Sequence, residues 1–245
     1  MGEDSMPKRS PALEEKTKML LDYLKISRRY NQSFIPRPFF VEFSGSPSSG
    51  KTTMITELDK YFRREGARVW RPQEGAEVIR HIERTTPLYN IRTGLYALNL
   101  LIDLSAGHMY DIVIFDRCIF DAFSWMMYWE EKNKLTPEER NMIQSFFLSD
   151  FWTDKIDAAI FMVADTKESL RREMRLSMNQ KVGETTNSKT VETLINRYKT
   201  AYSLLSPKYK QLVMFDTTNL NEETMVQTIT NKLVDMLVLK TKSGR

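Results

Sequence analysis

Residues 45–52 read G-S-P-S-S-G-K-T, which matches the phosphate-binding loop pattern G-x-x-x-x-G-K-[ST]. Glycines let the backbone curl so that successive N–H groups point at a phosphate chain. In this pattern the lysine, here Lys51, reaches the β- and γ-phosphates, and the hydroxyl of Thr52 ligates Mg²⁺. The pattern works only between a strand and a helix, so it commits this part of the chain to an α/β fold.

Both flanks of this phosphate loop (residues 45–52) have the required character. Residues 38–44, P-F-F-V-E-F-S, are short, apolar and aromatic, which is typical of a buried strand. After the loop, Ile55, Leu58 and Phe62 recur on one stripe, as expected of an amphipathic helix. The sequence therefore predicts strand, loop and helix in the order that phosphate binding needs.

The rest of the chain alternates between apolar runs and helical patterns. Further strands are predicted at 67–70, 111–116, 156–163 and 212–215, and helices at 92–108, 120–128, 136–152, 167–178, 191–205 and 222–239. This alternation favours a mainly parallel sheet of five strands with helices on both faces.

Composition narrows the class of protein. The chain has 245 residues and a net charge of +4, which suits anionic substrates but does not by itself indicate nucleic-acid binding. Cys118 is the only cysteine, so no internal disulfide can form, and no Cys/His cluster suggests zinc. No signal peptide and no apolar stretch long enough for a bilayer are apparent, so we expect a cytoplasmic enzyme with no membrane contact.

The chain is expected to divide into three parts. Residues 1–11 are polar and read as a flexible leader, and residues 12–35 hold an amphipathic N-terminal helix. We expect this helix to pack on the domain, with partner or membrane binding as the alternative. Residues 36–245 form the main domain, with a small lid at about 176–190, where the sequence is polar and contains a glycine.

A second group of candidate residues follows the predicted strands. Asp116 and Arg117 end the strand at 111–116, and ligands of open α/β sheets bind beyond the carboxyl ends of strands. The carboxylate can hold Mg²⁺, and the guanidinium can grip a phosphate or position the acceptor. Glu74 follows the strand at 67–70 and can accept a proton from an attacking hydroxyl or bind a sugar hydroxyl.

Three arginines precede the predicted lid. Arg171 and Arg175 are four residues apart and share a helix face, and Arg172 lies between them. Since phosphoryl transfer spreads negative charge over the equatorial oxygens, a mobile arginine can stabilise the transition state. A solvated charged face is the alternative interpretation.

In this order the motifs resemble the P-loop nucleoside and nucleotide kinases, most closely the thymidylate kinase and deoxynucleoside kinase branch. The resemblance covers about residues 39–216 and depends on G-S-P-S-S-G-K-T-T, then R-P-Q-E-G, then D-I-V-I-F-D-R, then the arginines. It implies a three-layer P-loop NTPase fold, with a mainly parallel five-stranded sheet, helices on both faces and a small lid.

The resemblance also implies roles for individual residues. It places ATP phosphates in the loop and Mg²⁺ at Thr52 and near Asp116. Catalysis is assigned to Lys51, Asp116, Arg117, Glu74, Arg171 and Arg175, and Asp216 with Thr217 is expected to border the adenine. The nucleotide-binding residues are Gly45, Ser46, Pro47, Ser48, Ser49, Gly50, Lys51, Thr52 and Thr53.

The acceptor is left open. A nucleoside or nucleoside monophosphate is the first hypothesis, and a homodimer is compatible with it. A polynucleotide-end kinase and a regulatory module that hydrolyses or senses ATP are the alternatives, although nucleic-acid binding is not favoured at this net charge. A GTPase is disfavoured because no N-K-x-D follows a strand, and an AAA-type motor because the chain after the sheet is too short for a helical lid bundle.

Overall fold

The computed structural model describes residues 11–30, 37–176 and 187–242. The helices are α1 (Pro11–Tyr30), α2 (Lys51–Arg64), α3 (Gly75–Val78), α4 (Pro87–Ser105), α5 (Ile119–Glu131), α6 (Pro137–Phe147), α7 (Asp150–Thr153), α8 (Thr166–Leu176), α9 (Ser188–Leu205) and α10 (Glu222–Lys242). The strands are β1 (Phe39–Gly45), β2 (Val69–Trp70), β3 (Ile112–Asp116), β4 (Ile156–Val163) and β5 (Leu212–Asp216).

The five strands form one parallel sheet in the order β2-β3-β1-β4-β5. β1 therefore lies at the centre, and its carboxyl end leads into the phosphate loop. Going outward from β1, the sheet continues with β3 and β2 on one side and with β4 and β5 on the other. The chain changes sides next to β1, and parallel sheets bind ligands at such a switch point.

Two apolar layers cover the sheet. Alternate side chains of β1 enter each layer: Phe39, Val41 and Phe43 pack with α1, α2 and α10, whereas Phe40 packs with α4, α5 and α9. This confirms the predicted three-layer arrangement and the mainly parallel sheet of five strands. Glu42 and Ser44 follow the alternation of Phe40 and so belong to the face that carries α5.

Local signals set several element boundaries. Thr136 accepts a hydrogen bond from the backbone N–H of Glu139, whose carboxylate accepts one from the N–H of Thr136, so the predicted capping box opens α6. The helix predicted at 92–108 is α4 in the structure and spans Pro87–Ser105. It begins earlier than predicted because a proline favours the first turn of a helix. The predicted turn at 71–75 ends in a short helix, α3.

The division of the chain stays a prediction. The helix expected at 12–35 is α1, whose buried leucines join the core formed by α2 and α10. Residues 1–10, 31–36 and 177–186 lie outside the described residues, so most of the expected leader and lid lies outside them as well. Among the described helices, none combines the length and the hydropathy that a bilayer crossing requires.

Candidate active site

The backbone of the phosphate loop depends on two glycines. Gly45 has φ 139°, and a Cβ built there would lie 1.8 Å from the carbonyl oxygen of Met162 on β4. Gly50 has φ 93° and is the N-cap of α2. These conformations are costly for residues with a side chain, and they turn the loop directly into the N-terminus of a helix, a favourable place for a phosphate.

Lys51 lies under the loop and is 8% exposed. Its Nζ donates to the carbonyl oxygens of Gly45 at 3.2 Å and Ser46 at 2.9 Å, so two of the three ammonium donors are occupied. Burial, followed by the positive charge of Arg117, lowers the pKa of Lys51 to about 8, against the opposing effect of nearby carboxylates. An anion bound at the loop would favour the charged ammonium.

Thr52 and Asp116 are the predicted metal ligands. Thr52 is exposed in the first turn of α2, and Asp116 ends β3 beside Phe43 of β1. Within the described part of the chain, the buried Oδ1 of Asp116 accepts no hydrogen bond. An unpaired carboxylate oxygen fits a divalent cation, which prefers oxygen ligands. Thr53, the next residue of α2, is partly buried.

The outer side of the phosphate loop is held by α8 and the end of β5. Arg172 donates to the carbonyl oxygens of Ser48 at 3.3 Å and Thr217 at 2.7 Å. Thr217 Oγ1 donates to the carbonyl of Ser49 at 2.9 Å. The hydroxyl of Ser48, a non-glycine residue with φ 53°, donates to Glu173 Oε2 at 2.6 Å. These contacts connect α8 to the loop shortly before the residues expected to form the lid.

The other two arginines of α8 point elsewhere. Arg171 is 57% exposed and pairs with Glu168, with Nε and Oε2 2.6 Å apart. Arg175 is exposed and forms no hydrogen bond or ion pair with any residue that the structure describes. Of the three arginines, Arg172 is thus the one in contact with the phosphate loop, and the predicted catalytic roles of Arg171 and Arg175 stay predictions.

Arg117, which follows β3, is the centre of a polar network. Its Nε donates to Glu74 Oε1 at 3.0 Å, and its NH1 donates to Asp121 Oδ1 and to the hydroxyl of Tyr198, both at 2.9 Å. The Tyr198 hydroxyl in turn donates to Asp121 Oδ1 at 2.5 Å. The structure therefore brings the predicted residues Glu74 and Arg117 into direct contact, although they lie in separate elements.

These neighbours change the acid–base properties of the network. Burial raises the pKa of Glu74, while the charge of Arg117 partly opposes the rise. For Arg117, burial alone would lower the pKa, but Asp121, Tyr198 and Glu74 together raise it well above its ordinary value. A permanent cation therefore sits beside a carboxylate whose proton affinity is increased, a pairing that is suited to proton transfer.

A cavity of about 170 Å³ opens beside this pair. Residues of α4 and α5 form much of its lining, which also includes Glu74 and Arg117. The residues with polar or aromatic side chains that line it are Glu74, Arg84, Tyr89, Asn90, Thr93, Arg117, Asp121 and Trp125. Gly94 also lines the cavity, and a Cβ there would lie 2.8 Å from Cζ of Phe147. The cavity has the mixed apolar and polar lining that is common in small-molecule sites.

Comparison with known proteins establishes the family. A family model described as "AAA domain" matches residues 40–203, which include the phosphate loop, Glu74, Arg117 and α8. The chain belongs to the AAA domain family. Membership of this family does not say whether the chain works as a motor. The expectation that it is not an AAA-type motor therefore stays a prediction. A search of curated proteins finds no match.

Solved structures share the fold of this family member. One is deoxyadenosine kinase from M. mycoides with the products dCMP and a flexible dCDP bound. It is 17% identical, with a TM-score of 0.60, and the match covers 80% of this chain and 100% of that chain. The same enzyme with bound dCTP is 18% identical, with a TM-score of 0.54 and the same coverage. At this identity the likeness shows the fold alone, and it confirms the expected three-layer P-loop NTPase fold.

Several residues of the site were not found by sequence reasoning. Asp121 and Tyr198 lack a motif, although Asp121 lies four residues after Arg117, a spacing at which helical residues pair. The lining of the cavity by Tyr89 and Asn90 had no sequence signal. Glu42 has one, because it is a charged residue in the otherwise apolar strand F-F-V-E-F.

Proposed function

We propose that this protein is an ATP-dependent phosphotransferase that phosphorylates a hydroxyl group of a nucleoside. The observation that carries the proposal is the contact between Glu74 and Arg117 in the lining of a cavity, since the charges of these two side chains also act on Lys51 of the phosphate loop. A protein that only senses or hydrolyses ATP has no need for a mixed-polarity cavity in addition to the phosphate loop. A kinase needs one, because its acceptor must be held in line with the phosphate that is transferred.

The acceptor side of the cavity favours a nucleoside over a nucleoside monophosphate. Arg117 is already paired with the carboxylates of Glu74 and Asp121, with which an acceptor phosphate would have to compete. Arg84, the other arginine in the lining, donates to a backbone carbonyl and lies over the ring of Tyr89. The aromatic lining suits a flat base. The monophosphate stays the alternative within the same class of acceptor.

The proposed reaction transfers one phosphoryl group in line. The carboxylate of Glu74 takes the proton of the acceptor hydroxyl while the oxygen of that hydroxyl bonds to the γ-phosphorus. The bond between the γ-phosphorus and the β,γ-bridging oxygen of ATP breaks, and ADP leaves. Lys51 stabilises the charge on the β- and γ-phosphates. Arg117 orients Glu74 and supplies positive charge on the acceptor side.

Thr52 and Asp116 are the residues proposed to hold Mg²⁺, since the unpaired Oδ1 of Asp116 fits a cation ligand. When bound, Mg²⁺ would neutralise charge on the phosphate oxygens. Arg171 and Arg175 are proposed to approach the transferring phosphate from the lid side. A cytoplasmic location and a homodimer stay predictions.

The proposal is tested with labelled ATP against a panel of acceptors. Deoxynucleosides come first, since the M. mycoides enzyme of the same fold is a deoxyadenosine kinase; ribonucleosides, nucleoside monophosphates and oligonucleotide ends follow. We expect the unaltered protein to produce phosphorylated nucleoside. In Glu74→Gln the kcat should be at least about a hundredfold lower, which is the effect of losing a general base. The ATP affinity should hold, and Glu77→Gln, an exposed carboxylate of the neighbouring α3, should match the unaltered protein.

Other outcomes have definite meanings. Transfer to oligonucleotide ends alone would replace the proposal by a polynucleotide-end kinase. ATP hydrolysis that no acceptor stimulates would replace it by a regulatory module. Wild-type turnover in Glu74→Gln would remove Glu74 from the role of base.

A further inference from the structure

Glu42 is a buried carboxylate on the central strand. It is 0% exposed and lies on the β1 face that is covered by α5. Its Oε1 accepts hydrogen bonds from the backbone N–H of Cys118 at 3.0 Å, the N–H of Asp121 at 2.8 Å and the hydroxyl of Ser44 at 2.8 Å, and its Oε2 accepts the N–H of Phe120 at 3.2 Å. Four donors therefore converge on one side chain.

Three of these donors belong to the first turn of α5. A helix N-terminus leaves backbone N–H groups without intrahelical partners, which a nearby side chain usually caps. Here Cys118 occupies the N-cap position and provides no side-chain cap. Glu42, which is 76 positions away from Cys118 in sequence, supplies the missing acceptor. A neutral Ser, Thr or Asn at the N-cap would cap the helix locally, so capping alone does not explain a buried charge in the strand.

The first turn of α5 in turn holds Arg117. Arg117 precedes the helix with φ 67°, a left-handed conformation that is unfavourable for a residue with a side chain, and its N–H donates to the carbonyl of Phe43 on β1 at 2.8 Å. Its guanidinium is held by Asp121, whose own N–H is bonded to Glu42. A displaced first turn would therefore carry Asp121 away, and NH1 of Arg117 would keep only one of its two partners, the hydroxyl of Tyr198.

We propose that Glu42 is a positioning residue for the acceptor side of the site: by fixing the first turn of α5 it sets the place of Arg117 beside Glu74. The inference rests on the function proposed above. β1 then positions both sides of the reaction, because Glu42 lies three residues before Gly45, where the same strand enters the phosphate loop.

The electrostatics of Glu42 agree with this role. Burial, followed by the negative charge of Asp121, raises its pKa to about 7, although hydrogen bonds from Asp121, Ser44 and Phe120 oppose the rise. The carboxylate is therefore kept at some cost to the folded state, which is common for groups retained at functional sites.

The test is Glu42→Gln, which keeps the shape of the side chain but places an amide N–H₂ among backbone donors. Because a small misplacement in a site of this kind costs about 10²-fold, we expect kcat/KM for the nucleoside to fall by roughly that factor. The affinity for ATP, measured by direct titration, should change by less than twofold. The matched control is Asp157→Asn. Asp157 is a buried carboxylate that accepts the N–H of Phe40 at 2.8 Å near the other end of β1, and its variant should keep both values.

A second measurement does not depend on activity. Amide hydrogen exchange should become faster at Cys118, Phe120 and Asp121 in Glu42→Gln, while the amide of Met54, which donates to the carbonyl of Gly50, should keep its rate. If the nucleoside kcat/KM stays at the wild-type value, or if ATP and nucleoside affinities fall together, the positioning role is wrong. If no acceptor is phosphorylated even by the unaltered protein, the proposed function fails, and the exchange rates alone decide whether Glu42 holds α5.

A second variant, at Tyr198, covers the case in which Glu42→Gln does not fold. Tyr198→Phe removes the hydroxyl that bonds Asp121 and Arg117, and we expect it to lower the nucleoside kcat/KM in the same way. Its control is Tyr209→Phe. Tyr209 is also buried, and its hydroxyl donates to the carbonyl of Leu148 away from the cavity. Equal kcat/KM values in the two tyrosine variants would contradict the claim that the contacts with Asp121 and Tyr198 position Arg117.

Discussion

The buried charge of Glu42 should make the stability of the protein depend on pH in a defined window. The pKa of this carboxyl rises from 4.5 to about 7 on folding. Between these two pH values the folded state holds a proton that the unfolded state has lost, so the free energy of unfolding must fall as the pH rises. Below pH 4.5 both states are protonated, and above pH 7 both are ionised, so the contribution changes only inside the window.

The size of the effect follows from the shift. About 2.5 pKa units at 1.36 kcal/mol each correspond to roughly 3 kcal/mol of stability lost between the two ends of the window. Glu42→Gln cannot ionise and should not show this loss. The difference in unfolding free energy between the unaltered protein and Glu42→Gln should therefore change by roughly 3 kcal/mol from about pH 4.5 to about pH 7.5, in favour of the glutamine variant at the higher pH.

Urea unfolding at a series of pH values measures this difference, and other titrating groups, such as Glu74 and Lys51, cancel when two variants are compared at one pH. Glu77→Gln, which removes an exposed carboxylate from α3, corrects for the change in net charge. A difference that stays constant across the window would refute the reasoning. It would mean that the hydrogen bonds from α5 and Ser44 fully compensate for burial, and that the carboxylate is ionised at no cost.

Two further predictions concern the phosphate loop. Lys51→Ala should abolish phosphoryl transfer while the circular dichroism spectrum and the cooperative unfolding remain, and wild-type turnover would contradict the catalytic role of the lysine. Arg172→Ala, which removes the contacts to Ser48 and Thr217, should raise the Kd of an unhydrolysable ATP analogue about tenfold, a loss of roughly 1.4 kcal/mol. Lys167→Ala, which removes an exposed basic side chain from the same helix, is the control; an equal loss in both variants would show a charge effect without a role for the loop contacts.

The parts of this protein that could be predicted from the sequence are those in which the deciding interactions are local. The segment 156–163, which is apolar at every position except Asp157, is β4 to the residue, since a strand buried on both faces reads as a nearly continuous hydrophobic segment. The glycine spacing of the phosphate loop was sufficient to predict strand, loop and helix. The strand predicted at 67–70 is present but shorter, since β2 spans only Val69–Trp70. The sequence did not predict α3, which has no periodic pattern to reveal it.

The contacts around Arg117 could be predicted only in part, because they join distant residues. Asp116, Arg117 and Glu74 became candidates because each ends or follows a predicted strand, and parallel strands bring their carboxyl ends to one edge. That Arg117 and Glu74 touch, 43 positions apart, depends on the packing of α3 and α5 against α4, which no local pattern specifies. The same is true of Tyr198, which reaches Arg117 from α9 across 81 positions.

Glu42 lies between these cases, because part of its role can be read from the strand in which it occurs. A carboxylate in a central strand is costly unless buried donors meet it, so its presence in F-F-V-E-F by itself indicates a contact with such donors. Alternation along β1 places Glu42 on the face opposite to Val41 and Phe43, which pack with α2, and therefore toward the other layer. Both β3 and β4 lie beside β1, and the hydrogen bonds of Glu42 identify the helix that it meets as α5, which follows β3. A single charged residue in the strand before the phosphate loop thus indicates that this strand also binds the start of the helix that follows Arg117.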